Sequence, residues 1–487
     1  MASTAAGDDF RDWSGLPEDL LLTAMEAMQV PDLVHSGAVC RSWHSAFATF
    51  RRLGLRSPLH PPCLLYAAAA AADNAVRLYS PSSTGAHFRV PLLDEEAASS
   101  VVGSAHGWLF TSDRGANPYL LNPLTGARAA LPPATALGRV RGRRFVFSPG
   151  DGGRRGVAYD VDFGRRPGGS PNVRQVMARR ARRWMYRRVA MSASPSAATG
   201  CVVLLLHMPE RELSFARPGD ERWTPLVDGG VWASHGTSFL DAVHNPGDGL
   251  FYVLQDSSPG GDTVVHSLDL TAPPPPPSSP VATMLMFATP PRPCNHHLKK
   301  TMCRYLAITP QHPQHVAGGL EFLVVERRWC RSGSDDDVST TEMYVVMLRP
   351  LDLYFYEQVS LPGGVGGDLA LFVGHAGAAC LRVEDYPMFR GNCAYLTDES
   401  DGDGDHANPP PWKRLDLALW EFGGSNYRGR LTKLRDTWPL HHPWQDNSPP
   451  PIWFTPSLDK RISNSKNILN IAIPYNHTRQ AESEGKF

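Results

Sequence analysis

From Cys63 onward the chain is a succession of short apolar runs, rich in β-branched and aromatic residues and separated by Gly, Pro, Asn and Asp. "GWLFTS", "PYLLNPLTG", "CVVLLLH", "GLFYVLQ", "EFLVVERR", "MYVVMLR" and "NCAYLTD" are examples. So many strands exceed what one small sandwich holds. Two stretches share an order of elements: "HGWLFTSDRGANPYLLNP" and "GDGLFYVLQDSSPGGDTVVHSLDL" each give a Gly- or Asn-led strand, a turn, and a second strand ending in a polar residue. Repeats of that size and β-content predict a propeller over residues 60–458, each four-stranded blade burying its faces against its neighbours. The repeat is degenerate and accommodates six or seven blades.

Ahead of this all-β region, residues 10–55 carry helical grammar. Pro17 suits a first helical turn, with Glu18 and Asp19 placing negative charge at the positive end of the helix dipole. Leu16, Leu20, Leu21, Ala24, Met25 and Met28 recur at three- and four-residue spacing and mark one apolar face. Val30-Pro31-Asp32 ends that helix and starts another, and a third apolar stripe follows at Cys40, Trp43, Phe47 and Phe50. Three short helices are too few to build a self-sufficient core, so completion against a partner is expected.

Bulk properties exclude several classes. A hydrophobic fraction of 42% and a charged fraction of 20% belong to a soluble globular chain. Lys plus Arg and Asp plus Glu balance at 48 each, so overall charge selects no partner. Residues 1–10 lack the apolar core of a signal peptide, and "LLYAAAAAA" is too short and too weakly apolar to span a bilayer. Eight irregularly spaced cysteines in 487 residues point to reduced thiols, which leaves the sequon at Asn476 unused. A cytoplasmic or nuclear location is the expectation.

Chemistry-bearing motifs are scarce. His-Glu-x-x-His, the phosphate-binding Gly-x-x-x-x-Gly-Lys and the Gly-x-Ser-x-Gly elbow are absent, and no cofactor is expected. "PGGVGGD" (362–368) precedes a strand and reads as a turn. "DGDGDH" (401–406) places His406 where a calcium loop needs its sharp-turn glycine and Trp412 where it needs its bidentate glutamate, so it reads as a solvated acidic loop. Cys294, His296, His297 and Cys303 are capable zinc ligands at a spacing that matches no closed site. "APPPPPSSP" (272–280) and "SGSDDDVSTT" (332–341) read as exposed loops, and 459–487 as a divergent polar tail. A basic stretch from Arg139 to Arg188 includes "RVRGRRF" and "ARRARRWMYRR"; spread over strands and turns beside Trp184 and Tyr186, its arginines offer an alternative reading as a nucleic-acid-binding or structural propeller.

The residues also carry a resemblance. "LPEDLLLTAMEAMQVPDLVHSGAVCRSWHSAF" resembles the F-box, whose hallmark is a Leu-Pro pair before an apolar helix and, later, a Val-Cys-Arg-x-Trp cluster. "GSAHGWLFTSDRGANPYLLNPLTGARAALPP" (103–133), "GDLALFVGHAGAACLRVEDYPMFRGNCAYLTDES" (367–400) and "PPIWFTPSL" (450–458) are similar to the C-terminal domain of a large plant F-box group related to Kelch-type propellers. The resemblance implies the substrate-recognition subunit of an SCF-type ubiquitin ligase, without chemistry of its own. The F-box would dock a Skp-family adaptor and through it a cullin, and the propeller would hold an unidentified target protein. The adaptor-facing set is then Leu16, Pro17, Leu20, Leu21, Val39, Cys40 and Trp43; for Leu21 and Trp43, packing among the three helices is an equal reading. A structural binding module acting outside ubiquitination also stays open. Gly37, inside a predicted helix, would cost about 1 kcal/mol relative to Ala.

Overall fold

The computed structural model describes residues 13–457 apart from 54–59, 68–74, 82–86, 95–99, 148–154, 166–169, 198–199, 210–211, 227–237, 257–262, 271–281, 287–300, 311–319, 332–336, 351–355, 398–412, 415–416, 424–428 and 435–450. The polyproline segment, the acidic segment 401–406, the residues Cys294, His296 and His297, and the tail therefore lie outside the described residues.

Three helices open the chain: α1 (Glu18–Glu26), α2 (Val30–Ser36) and α3 (Arg41–Leu53). Most of the rest is β-structure, in seven sheets among the described residues. Six of them form a ring. Blade I combines Cys63–Ala67, Ala75–Tyr79 and His87–Asp94 with the last described strand, Ile452–Phe454. Blade II holds 103–105, 108–112, 118–121 and 128–130; blade III holds 186–191, 203–207, 212–216 and 224–225. Blade IV is 238–244, 251–256, 263–268 and 282–286, and blade V is 301–308, 322–331, 337–350 and 356–360 with 413–414 added in parallel. Blade VI runs 377–382, 369–374, 393–396, 418–422 and 429–433 across the sheet, with 369–374 and 393–396 paired in parallel. The inner strands touch in the order I, II, III, IV, V, VI and back to I.

Packing repeats that order. Each junction between neighbouring blades has its own buried cluster: Leu109 with Phe454 between I and II, Phe215 with Phe251 between III and IV, Tyr252 with Phe322 between IV and V, Val345 with Leu371 between V and VI, and Phe372 with Trp453 between VI and I. The junction of blades II and III is the largest because the seventh sheet (140–147, 155–165, 171–177) and a fourth helix, α4 (Ala178–Trp184), are inserted there. Tyr159 of the inserted sheet and Tyr186 of blade III donate their hydroxyls to the carbonyls of Gly115 and Ala116 in blade II.

Two sequence expectations change here. "ARRARRW" is helix α4, not part of a strand or turn, and Trp184 and Tyr186 are buried, Trp184 stacked on Phe163 at 5.2 Å and Tyr186 edge-on to Phe110 at 5.5 Å. Neither ring is placed to stack on a base. Within 332–341, read as a loop, Asp337 to Thr341 already belong to a strand that pairs with 328–331.

The ring closes through its last strand. Cys63 to Leu65 pair antiparallel with Phe454 to Ile452, so the first and last described strands complete one blade. Ser104 Oγ donates to the Trp453 carbonyl (2.8 Å), Asn122 Nδ2 to the Ser457 carbonyl (3.0 Å), and Trp453 Nε1 to the Tyr395 carbonyl (3.1 Å). The two-residue turn His106-Gly107 has positive φ at both positions, the twist a tight hairpin needs, and a Cβ at Gly107 would lie 2.7 Å from the Ser457 nitrogen. Glycine is required there on both counts.

Candidate adaptor-docking face

The helical segment has its own small core of Leu21, Met25, Leu33, Ala46 and Phe50, all at most 2% exposed. Pro17 caps α1 with φ −55° and ψ 147°, and its carbonyl accepts from Leu21 N at 3.1 Å. Cys40 performs the same service for α3, its carbonyl accepting from His44 N at 2.9 Å. Gly37 lies at the C-terminal cap of α2 with φ −66°, outside the helix, so the helix-interior penalty does not apply. Its missing Cβ instead admits the Phe47 ring, whose Cδ1 would sit 2.6 Å away.

The first turn of the described chain, Trp13–Gly15, is tied to α3: Ser42 Oγ donates to the Ser14 carbonyl (2.8 Å) and Trp43 Nε1 to the Trp13 carbonyl (3.1 Å). These bonds bring the start of α3, with Val39 and Cys40 just before it, to the same end of the bundle as Trp13 and the start of α1. At the other end, the Val30 amide donates to His60 Nδ1 at 3.3 Å, joining α2 to the segment that enters blade I. Burial pushes the His60 imidazole down to about 4, which keeps it neutral and able to accept that bond.

The seven residues singled out from the sequence divide three ways. Leu21 is inside the bundle core. Leu16 and Trp43 pack against that core with part of their surface outside, and Cys40 is half-buried beside Ser42 Oγ at 3.1 Å. Pro17, Leu20 and Val39 are exposed, Leu20 by 52% and Val39 by 61%. Sequence periodicity missed two further exposed apolar side chains, Trp13 and Leu53. An aromatic three residues before Leu16 was the only signal for Trp13.

Elsewhere the candidate chemistry is quiet. Among the described residues no group of three or more His, Cys, Asp and Glu could hold a metal, and no helix is long and apolar enough to cross a membrane. Cys40, Cys63, Cys201, Cys303, Cys380 and Cys393 are unbridged. Burial pushes the Cys63 and Cys380 thiols up to about 12 and Cys201 to about 11, which suppresses the thiolate a nucleophile needs. In the basic stretch, Arg139 pairs with Glu212, Arg141 with Asp162 at 2.7 Å and Arg144 with Asp160 at 2.6 Å. Arg143 and Arg174 lie over the Phe145 and Phe163 rings. Arg182, Arg187 and Arg188 are buried.

The sequence profile of the KIB1-4 β-propeller family matches residues 78–413. The chain belongs to this family. Its curated relatives include an Arabidopsis thaliana protein whose name carries the F-box designation, At4g22180, 32% identical over 145 residues that make up 29% of this chain and 34% of that one. F-box only protein 7 of Arabidopsis thaliana is 29% identical over 28% of this chain and 33% of its own. The matched stretches thus span about a third of the length of these relatives. Among solved structures, a 6-phosphogluconolactonase-like protein from Bacteroides uniformis aligns over 76% of this chain and 95% of its own, with 9% identity and a TM-score of 0.28. With the three helices ahead of the family domain, this chain is a plant F-box protein with a β-propeller. The expected tie to Kelch propellers has no support in these likenesses.

Proposed function

We propose that this F-box propeller protein is the substrate-recognition subunit of an SCF-type ubiquitin ligase. Its helices dock a Skp-family adaptor, and through it a cullin, while the propeller holds the protein to be modified. The observation that carries the reading is the apolar surface left over once the helix bundle has built its core: Leu20 and Val39 remain more than half exposed although Leu21, Met25, Leu33, Ala46 and Phe50 are sealed. An apolar helix face that its own fold leaves uncovered is suited to a groove on a partner. Trp13, Pro17 and the outer surfaces of Leu16, Cys40 and Trp43 extend the docking face, and Leu21 supports it from within.

On this reading the chain forms and breaks no covalent bonds. Its contribution is proximity, raising the effective concentration of a target lysine near the ubiquitin donor. A cytoplasmic or nuclear site of action goes with it. The test is co-purification of the intact chain with a Skp-family adaptor and a cullin, beside a Leu20→Asp variant. Capture of both by the intact chain alone is the expected result. A folded chain that captures neither refutes the reading, and capture of the adaptor without the cullin places the protein outside ubiquitination.

A further inference from the structure

The three-stranded sheet inserted between blades II and III has two edges, and they differ. Strand 171–177 opens on Pro171, which has no N–H to donate, shifts register before Val173 and runs directly into α4. Strand 140–147 is the better template. Past an irregularity between Val140 and Gly142, it pairs in unbroken register from Gly142 to Phe147 with Asp160 to Arg155. Among the described residues, 155–165 is its only strand partner. An edge strand turns N–H and C=O groups outward on alternate residues, where one more strand can pair with them.

Charge alone blunts many edges, and Arg141, Arg143 and Arg144 lie on this one. Blunting does not explain Phe145. At 72% it is the most exposed large hydrophobic side chain among the described residues, and it stands on an unpaired edge. Two of the arginines are matched, Arg141 by Asp162 and Arg144 by Asp160. Arg143 is exposed and meets no carboxylate among the described residues; its guanidinium lies over the Phe145 ring, 5.2 Å from the centroid. The insertion as a whole is strongly basic. From 139 to 184 it holds thirteen arginines and no lysine against three aspartates and no glutamate, so its own acids cannot neutralise it, although the full chain balances at 48 of each sign. Glu212 of blade III matches Arg139 from outside.

We propose that residues 142–147 are a docking edge for an extended acidic segment of a partner protein, added to this sheet as a fourth strand. Side chains alternate along a strand, so Arg143 and Phe145 share one face and Arg144 and Val146 the other. Each face thus reads charge, then apolar. The complement is a strand with two neighbouring carboxylates and two neighbouring apolar residues, held by main-chain hydrogen bonds and chosen by its side chains. A second copy of the same edge is disfavoured, because arginine would face arginine. A nucleic acid would use the charge but leave the outward amides and carbonyls unpaired, and Trp184 and Tyr186 are buried away from it. The proposal stands apart from adaptor docking, since helices α1 to α3 contribute nothing to this sheet.

The test titrates the full-length chain into a labelled, end-capped peptide, Glu-Glu-Val-Val repeated twice, read by fluorescence anisotropy. Beside it run the same peptide N-methylated on alternate amides, in either phase, and a single-stranded DNA of equal charge. The expected result is saturable one-site binding of the parent peptide with slowed hydrogen exchange at 142–147. N-methylation in one phase weakens it tenfold or more while the other phase does not, and Arg143→Glu weakens it tenfold or more. Should Arg143→Glu fail to fold, Arg143→Gln decides the matter through a smaller loss in the same direction. Adaptor capture by the folded variant equals that of the parent, which keeps a failure here distinct from a failure of the docking face. Equal affinity for all three peptides, or no peptide binding by the folded chain, overturns the proposal. DNA binding that the peptide does not displace overturns it in favour of a nucleic-acid surface.

Discussion

Replacing Leu20 with Asp separates docking from folding more cleanly than any other change in the helical segment. Leu20 is the third residue of α1, 52% exposed and outside the bundle core. For folding, Asp loses up to about 0.7 kcal/mol of helix propensity and regains roughly 0.3–1 kcal/mol from its charge in the first turn. The net effect on stability is within about 0.5 kcal/mol of zero. For docking the balance differs. Full burial of a leucine is worth about 1.5–3 kcal/mol, and about half of Leu20 remains to be covered, which gives roughly 0.8–1.5 kcal/mol from the lost side chain. An unpaired carboxylate forced into an apolar groove adds several kcal/mol. A total loss of about 3–5 kcal/mol corresponds to adaptor binding weakened roughly 10²- to 10⁴-fold. The assay is calorimetric or surface titration of purified adaptor onto the full-length chain, with urea denaturation of the same samples. Adaptor affinity within threefold of the parent would refute the assignment of Leu20 to the docking face. Loss of binding together with a large drop in the unfolding midpoint would refute the argument that Leu20 is outside the core.

Leu21→Ala gives the opposite signature: a drop of about 2–5 kcal/mol in the stability of the helical segment, read by urea denaturation, since the side chain sits in the bundle core. Trp453→Ala removes the ring that meets Phe372 at 5.0 Å and a buried donor to the Tyr395 carbonyl, and loses about 3–5 kcal/mol of propeller stability; an unchanged denaturation midpoint would show that the closing strand is dispensable. Gly391→Ala places a Cβ 1.8 Å from the Gly367 carbonyl oxygen, a backbone clash that no rotamer relieves, and lowers stability by about 1–3 kcal/mol or more in the same assay. Burial holds His60 down to about 4 from an ordinary 6.5, so the folded protein takes up this proton less readily than the unfolded chain. The stabilisation is complete above about pH 6.5 and is lost as the pH falls from there through about 4. His60→Gln flattens that part of the pH dependence of unfolding, and an unaltered profile would exclude His60 as its source.

Much of the architecture was legible because the signals were local. Apolar runs of five to eight residues bounded by Gly and Pro marked the strands, and Pro17 with Glu18 and Asp19 marked the start of α1. What escaped depends on contacts distant in sequence. The three-stranded insertion reads like any other set of strands, and only its packing on Phe110 and Tyr186 shows that the ring passes it by. Helix α4 was hidden because four arginines in "ARRARRW" look like a solvated charge run, while its buried side includes Ala178, Ala181, Arg182 and Trp184. On the docking face, periodicity placed Leu20 and Leu21 on one stripe, yet a single step around the helix seals one and leaves the other outside. Which of two adjacent apolar residues faces inward is decided by α3, not by α1 itself.

The stretches that carried the family resemblance turn out to share one structural task. Ser104 and Asn122 of the first bond the backbone of the closing segment; Trp453 of the third sits in that segment; Phe389 and Tyr395 of the second pack with Phe372 against the Trp453 ring. All three converge where blades VI, I and II meet and the first and last described strands are paired. Residues that close a ring are constrained by the fold whatever the ring binds, so they identify the architecture and carry no information about a target.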